Sequence, residues 1–309
     1  MEFHFSMDIR HLRVFVEVVR HDGFSAAARA IHASQPTVSK AIALLEEEVG
    51  MPLMERDRHG VRLTQAGEVV YRRAQAVLNE REDLLAELAE LKGLHRGELR
   101  IGLPMLGSDI LFAPLLAAYR AGHPGIDLQL LEQGSEALED SLLAGRIELA
   151  GSLLPVADSF DAQPVRREPM CVVLAATHPL AGHARLTLPQ LRDEPFVLFE
   201  RGFALNRRIL DACQRHGFEP AVATRSGQLA LIVALAAAGM GVALLPRMIA
   251  EDRRRPDVAV ALLDEPGLDW HMALVWRRGA FLSHAAQAWL ALVREHYGAA
   301  PAPLSLPGE

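Results

Sequence analysis

The sequence predicts a multi-domain α+β chain: a small helical head with a hairpin, one long helix, and a C-terminal α/β half in two lobes. Three observations predict it. Residues 24–67 read as helix, tight turn, second helix and basic hairpin. The stretch 64–92 holds no proline and a single glycine, Gly67, and its apolar residues recur at alternating four and three. Beyond 98, strand-like and helix-like segments alternate as β-α-β-α-β, and a second such set follows. The chain has 309 residues, half of them hydrophobic, which allows two or three domains with their own cores.

The head comes first in the chain. Leu12, Phe15, Val16 and Val19 repeat at three and four, so 10–21 is an amphipathic helix ended by Asp22-Gly23. Ser25 is the expected N-cap of a second helix through Ala26, Ala27, Ala28 and Ala30, whose small side chains let a neighbour approach closely. His32-Ala33-Ser34 makes a turn. Ser34 can cap a third helix with Pro36 near its start, where the missing N–H costs little. Val38, Ile42, Leu45 and Val49 supply its buried stripe.

The other side of that helix opens with Gln35, Thr37, Ser39 and Lys40. Gln can pair with adenine and Lys can donate to guanine acceptors, while Ser and Thr reach bases or phosphates. Taken singly these are ordinary solvated residues. As a set at the start of a helix after a helix-turn, they point to a major-groove contact. Residues 55–64 then alternate enough for a hairpin with Gly60 near its tip. Arg58 is expected on a phosphate. Arg56 and Arg62 fit either a phosphate or a solvated loop pairing with Glu55 and Asp57. Acids and bases of the head nearly cancel, so binding depends on where the charge sits, and Glu46, Glu47 and Glu48 lie at the far end of the third helix.

Two stretches carry a resemblance. Phe24 to Ser39 resembles the "SFSAAARALHVSQPAVS" helix-turn, and Pro52 to Gly67 the "LFER…LTxAG" wing, of the LysR-type transcriptional regulators. The resemblance spans essentially the whole chain. It implies a winged helix-turn-helix that binds double-stranded DNA, with Gln35, Pro36, Ser39 and Lys40 at the groove and Arg58 in the wing; the reading of the residues themselves adds Ser34, Thr37, Arg56 and Arg62 to the expected DNA contacts. Two departures are visible: Lys40 stands where Arg is more usual and offers a point charge rather than a planar fork, and Met54 replaces the usual Phe. Either Met1 or Met7 is the natural start, and the family usually begins close to Met7.

The long helix carries Val70, Ala74, Val77, Leu84, Leu88 and Leu91 on a coiled-coil seam interrupted by Arg81 and would span roughly 45 Å. A narrow stripe of that length favours pairing of two chains over packing on its own domain. Dimerisation through Val70, Val77, Leu84, Leu88 and Leu91 is therefore expected. The resemblance implies the same, often as a tetramer built from two dimers, and contact with RNA polymerase when activating.

In the C-terminal half the expected elements are strands at 99–103, 126–131 and 147–153 with helices at 108–120 and 135–144. Strands at 170–175, 196–199, 221–224 and 242–245 follow with helices at 203–216 and 228–238, and 271–276 and a helix at 283–297 close the chain. Two such sheets with an exchanged C-terminal piece resemble the type 2 periplasmic-binding-protein fold, used in the family to bind an effector. The expected domains are the winged helix-turn-helix at 7–64, the linker helix at 65–94, lobe I at 98–165 and 267–298, and lobe II at 166–266.

Ligands of open parallel sheets sit beyond the carboxyl ends of strands. Those ends name Pro104, Met105, Leu106 and Ser108, then Ser135 after Gln133-Gly134, then Leu154, and in the second lobe Phe199, Arg201, Gly202, Phe203 and Gln228. Relatives often carry Ser or Thr in place of Met105, so the site here is more apolar. Ser108 is either a donor or only a helix cap. Arg201 is either a carboxylate clamp or a loop residue paired with Glu200. The expected effector is a small, partly apolar carboxylate. The phrase from Phe199 to Leu205 resembles the CidR-like branch of the family, which implies acetate- or pyruvate-linked metabolism.

Nothing assembles a catalytic site: no nucleophile elbow, phosphate loop or Cys/His cluster with metal spacing is present, so no enzyme, cofactor or metal is expected. The alternative, a binding protein or enzyme on the same two lobes, leaves the head and long helix unexplained. Cys171 and Cys213 read as two scattered, buried thiols of a cytoplasmic chain. No apolar run approaches a membrane span.

Overall fold

The computed structural model describes residues 7–57, 60–91 and 97–298. By contacts the chain divides into two units, 1–93 with 143–145 and the remainder. In the first unit α1 (Ile9–Arg20), α2 (Phe24–Ala30) and α3 (Gln35–Val49) surround one core of Leu12, Phe15, Val16, Val18, Ala27, Val38, Ile42 and Leu45. Asp8 caps α1, and the Arg10 guanidinium beside it holds its carboxyl down at about 2. The turn before α2 differs from expectation. Gly23, not Ser25, occupies the N-cap position, and Ser25 lies inside the first turn. The cause is Phe24, which packs against the head core and draws the helix start back to itself.

The wing is β1 (Met54–Asp57) antiparallel to β2 (Gly60–Leu63), with Asp57 opposite Gly60. Gly60 pairs with Asp57, and residues 58–59 between them lie outside the described residues. Two hydrogen bonds fix the wing to the helices. The Leu53 N–H donates to Glu46 Oε1 at 2.8 Å, and the Val61 N–H donates to Asp22 Oδ1 at 2.9 Å. Glu46 thus has a structural task at the far end of α3.

Helix α4 (Gln65–Leu91) has 27 residues, about 40 Å at the α-helical rise. The wing motif explains its start. Thr64 Oγ1 accepts the Gly67 N–H at 3.0 Å and donates to the Pro52 carbonyl at 2.7 Å. A Cβ on Gly67 would stand 1.9 Å from the Leu53 carbonyl oxygen, so only glycine fits there. The apolar seam divides. Ala74 is buried and Val70 packs on the head's own core, whereas Val77, Leu84 and Leu88 are 45%, 54% and 44% exposed. Val70 is thus withdrawn from the expected dimer seam by contact with its own domain. The side chain of Leu91 lies outside the described residues, as do residues 92–94 of the expected helix.

The second unit opens with β3 (Glu98–Pro104), α5 (Ser108–Leu111), α6 (Ala113–Gly122), β4 (Asp127–Gln133), α7 (Ser135–Leu143) and β5 (Leu149–Leu153). The single helix expected at 108–120 is two helices broken at Phe112. Pro114 has no N–H to donate and crowds the preceding turn, so it is tolerated only near the start of a new helix. The chain continues through β6 (Phe160–Glu168), β7 (Met170–Ala175), β8 (Arg185–Leu186), a 3₁₀ turn (Leu188–Leu191), β9 (Phe196–Phe199) and α8 (Ala204–Arg215). It ends with β10 (Val222–Ser226), α9 (Leu229–Ala237), β11 (Ala243–Pro246), α10 (Arg247–Asp252), β12 (Val258–Leu263), β13 (Trp270–Arg277) and α11 (His284–Tyr297).

Lobe I is a five-stranded sheet in the order β4-β3-β5-β13-β6, with β3 parallel to β4 and β5, and with β13 antiparallel to β5 and β6. Its sheet runs on to Glu168, three residues past the limit expected at 165. Lobe II holds β11-β7-β12-β8, and the β10-β9 pair joins it through the Phe196–Val242 bridge. Strands β6, β8 and β12 and helix α10 stand outside the expected elements. Strand β6 is an edge strand that skips a register step between Ala273 and Met272, which accommodates Pro164. Helix α11 locks onto lobe I through buried Trp289, which meets Tyr119 edge to face at 5.6 Å, while the Tyr119 hydroxyl donates to the Ala285 carbonyl.

Candidate nucleic-acid interface and ligand cleft

The start of α3 is built as a preformed polar surface. The Ser34 hydroxyl accepts the Thr37 N–H at 3.3 Å and shares a 2.8 Å hydrogen bond with the Thr37 hydroxyl, which caps the helix. Ser34, Gln35, Pro36, Thr37 and Lys40 are exposed and Ser39 is half-buried, while Val38, Ala41, Ile42 and Leu45 pin the opposite face into the core. The same helix therefore spends its apolar stripe on the head and leaves donors and acceptors at its N-terminal turn. Arg62 is exposed on β2 of the wing. Arg58 and the side chain of Arg56 lie outside the described residues.

In the second unit, the carboxyl ends of three neighbouring strands meet one cleft. Strand β3 supplies Pro104, with Met105 and Leu106 after it, β4 supplies Gln133 with Gly134 and Ser135, and β5 supplies Leu153. Lobe II contributes Phe203, Ala204 and Leu205 from the start of α8, and β13 adds Trp270 and Met272. Gly107 sits in the left-handed region at φ 86°, and a Cβ there would come within 3.0 Å of the Trp270 ring, so glycine lets the indole lie against the backbone. The cleft holds about 290 Å³ of atom-free space continuous with solvent, but only about 10 Å³ admits the centre of a water molecule. That is room for about one water. A larger ligand must part the lobes or turn the flexible Met105 and Met272 aside.

Of the expected effector residues, the cleft brings together Pro104, Met105, Leu106, Ser135 and Phe203. The other six stand off it. The Ser108 hydroxyl turns back to donate to the Pro104 carbonyl at 2.5 Å, and Gly107 holds the N-cap position, so Ser108 is neither free donor nor cap. Leu154 directs its carbonyl to Arg208 at 2.5 Å. Phe199 lies behind the wall, stacked on Phe203 at 4.9 Å. Arg201 is exposed, and Gly202 presents its carbonyl to Gly134, where a Cβ would stand 3.0 Å away. Gln228 caps α9, its N–H bound to Ser226 Oγ at 3.0 Å.

The residues that strand-end reasoning passed over are Leu153, Ala204, Leu205, Trp270 and Met272. Met272 pairs with Leu153 across the sheet, a neighbourhood set by the antiparallel return of the chain and invisible to local pattern. Gln133 contributes the distinctive polar atom: its Oε1 is buried without a hydrogen-bond partner. None of the described lining residues is charged.

Comparison with known proteins decides the family. The LysR substrate binding domain matches residues 92–298, and the bacterial regulatory helix-turn-helix protein, lysR family, matches residues 9–68. The chain belongs to the LysR family of transcriptional regulators. It is 36% identical over 286 residues to the uncharacterised transcriptional regulator YwbI of Bacillus subtilis, covering 92% of this chain and 95% of that protein. It is 32% identical over 280 residues to the transcriptional regulator BudR of Raoultella terrigena, covering 88% and 95%. Among solved structures, a full-length OxyR variant from Pseudomonas aeruginosa aligns with a TM-score of 0.68 at 27% identity, covering 93% of this chain and 95% of that one. A peroxide-bound OxyR variant from Corynebacterium glutamicum aligns at 0.57 and 28%, covering 93% of each.

This LysR-type regulator therefore joins a DNA-binding head to an effector-binding domain and is a regulator rather than an enzyme. Its thiols are ill suited to redox chemistry. Cys171 and Cys213 are both buried, and burial pushes them up to about 12 and about 11, with carboxylates nearby (Glu251 for Cys171, Glu265 for Cys213) adding to the rise. No helix among the described residues is long and apolar enough to cross a membrane.

Proposed function

We propose that this regulator reads a two-fold related promoter site through the first turn of α3. Gln35, Thr37, Ser39 and Lys40 face the major groove, with Ser34 and Pro36 at the helix mouth. Arg56, Arg58 and Arg62 of the wing meet phosphates. The observation that carries this is the division of α3 into a buried apolar face and an exposed polar first turn. Two copies pair along α4 through the exposed Val77, Leu84 and Leu88, together with Leu91, and two such dimers make the tetramer that spans a longer site. The four segments act as head (7–64), linker (65–94), lobe I (98–165 and 267–298) and lobe II (166–266). The protein works in the cytoplasm at the nucleoid and contacts RNA polymerase when it activates.

Effector control follows from the cleft. A ligand that fits only a parted cleft favours the parted arrangement of the lobes, and it shifts the equilibrium only by its difference in affinity for the two arrangements. The test is a footprint of the purified protein on the intergenic DNA beside its own gene. A protected dyad, lost with Lys40→Ala, supports the groove assignment; unchanged protection by that variant removes it.

A peroxide response is a second reading, since the name of one relative, from Streptomyces viridosporus, is probable hydrogen peroxide-inducible genes activator, at 31% identity. The buried, protonated thiols of this chain argue against carrying that role over.

A further inference from the structure

We infer that the effector of this protein is uncharged: a ring-sized, mainly apolar molecule bearing one hydrogen-bond donor. The inference rests on the reading of the inter-lobe cleft as the effector site. Three features of the cleft carry it.

The first is charge. An ion taken from water into this cleft meets walls of Met105, Leu106, Phe203, Trp270 and Met272, with no charged side chain among the described lining residues. Burying a carboxylate without a cationic partner is strongly unfavourable. The arginines that neighbour the cleft in sequence are occupied elsewhere. Arg207 pairs with Glu136 at 2.5 Å, and Arg208 donates to the carbonyls of Leu154 and Gly267. Arg201, for which a carboxylate clamp is one of two readings, is exposed and outside the lining.

The second is Gln133. It lines the cleft at the carboxyl end of β4, and its Oε1 is buried without a partner. An orphaned buried acceptor is relieved by a donor and aggravated by another acceptor. A hydroxyl or N–H satisfies it, and a carboxylate opposes its lone pairs.

The third is shape. Each lobe presents one aromatic side chain to the cleft, Phe203 from lobe II and Trp270 from lobe I, and the two methionines can yield on either side. A flat ring fits between such walls better than a branched or extended chain does.

The experiment titrates the full-length protein calorimetrically with three probes of one skeleton: benzyl alcohol, toluene and benzoate. Benzyl alcohol is expected to bind about tenfold more tightly than toluene, the worth of one satisfied hydrogen bond, and benzoate most weakly. Gln133→Leu should bring benzyl alcohol down to the level of toluene while leaving toluene binding unchanged, which also shows that the cleft is intact. Benzoate binding more tightly than benzyl alcohol, with that preference lost in Arg201→Ala, would overturn the inference in favour of a carboxylate. Binding of none of the three at millimolar concentration overturns it as well. A footprint of the same unliganded preparation separates the two readings: protection with a benzoate preference leaves the regulator intact and removes only the uncharged ligand, whereas absent protection removes the regulator reading.

Discussion

The two recognition surfaces of this protein are built on opposite plans. The first turn of α3 is polar, exposed and already in shape, held by the Ser34 cap on one side and the apolar stripe from Val38 to Leu45 on the other. The cleft is apolar, nearly filled, and made of side chains from two lobes. The difference follows from the ligands. DNA presents a fixed, charged, hydrated surface, so a rigid display of donors suffices. A regulatory ligand must change the protein to report its presence, so its site must cost something to open.

Two glycines test that contrast with the same substitution. Gly67 and Gly134 both let backbone approach closely, but a Cβ would meet the Leu53 carbonyl at 1.9 Å in the head and the Gly202 carbonyl at 3.0 Å across the cleft. Leu53 is fixed by hydrogen bonds to Glu46 and Thr64, so the head has no easy relaxation. Gly67→Ala is expected to destabilise the head by about 3 kcal/mol or more, the range of substitutions that force backbone to move. Gly134→Ala faces a lobe that can shift by a few tenths of an ångström, and should cost about 1 kcal/mol or less while loosening the cleft. Thermal unfolding of both variants, followed by calorimetry, checks this. Equal losses of stability would mean that the cleft is as rigid as the head.

The same contrast governs what could be read in advance. The head was legible because its signals are local: Ser34 caps the helix that begins one residue later, and Thr64 and Gly67 lie three residues apart in the motif that they explain. Its miss was Ser25, where a cap preference yielded to the packing of Phe24. In the cleft, strand ends located Pro104, Met105, Leu106, Ser135 and Phe203, because β9 ends at Phe199 as expected and β3 and β4 end within two residues of the expected 103 and 131. Trp270 and Met272 were not legible, since only the antiparallel return of β13 beside β5 brings them there. Arg201 stays open between clamp and loop residue in the sequence, because charge in a loop says nothing about the direction of the side chain. Strand β12 carries an unbroken apolar run, VAVALL, that reads as a strand by composition, whereas the edge strand β6, with Pro164 and its charges, does not.

Substitution of Lys40 probes the polar surface directly. Lys40→Ala is expected to lower affinity for the promoter site by about 1–3 kcal/mol, with no change in thermal stability because the side chain is exposed. If Lys40 touches only phosphate, affinity should fall alike for all sequences and the salt dependence should weaken; if it reads guanine, discrimination at one base pair should relax. Titration of binding against salt on cognate and mismatched duplexes distinguishes the two. An exposed donor that affects neither would leave the rigid-display argument without its charged member.

The thiols give a smaller test of how tightly the second unit is packed. With Cys171 raised to about 12 and Cys213 to about 11, each stays protonated through the neutral and mildly alkaline range. The sign is that of an acid whose charged form is disfavoured by burial, so thiolate appears only well above the ordinary thiol range. A disulfide reagent should therefore leave both cysteines unmodified in the native protein at pH near 8 and react with both after denaturation. Rapid native labelling at Cys213, which lies buried in the last turn of α8, would show that lobe II opens further than its packing suggests.

A small expected effect separates shape from chemistry at the α3 mouth. Ser34→Ala removes the acceptor that satisfies the Thr37 N–H and frees the Thr37 hydroxyl from its 2.8 Å partner. Loss of an N-cap costs about 1 kcal/mol of stability. If the display works by being preformed, DNA affinity should fall in this variant even though Gln35 and Lys40 are untouched, because the first turn must then be ordered on binding. Ser34→Asp keeps the cap acceptor and should restore the melting temperature, but it adds a negative charge at the DNA face and should not restore affinity. Recovery of both in Ser34→Asp would mean that the cap matters and the field at the helix mouth does not; recovery of neither would place Ser34 itself against the DNA.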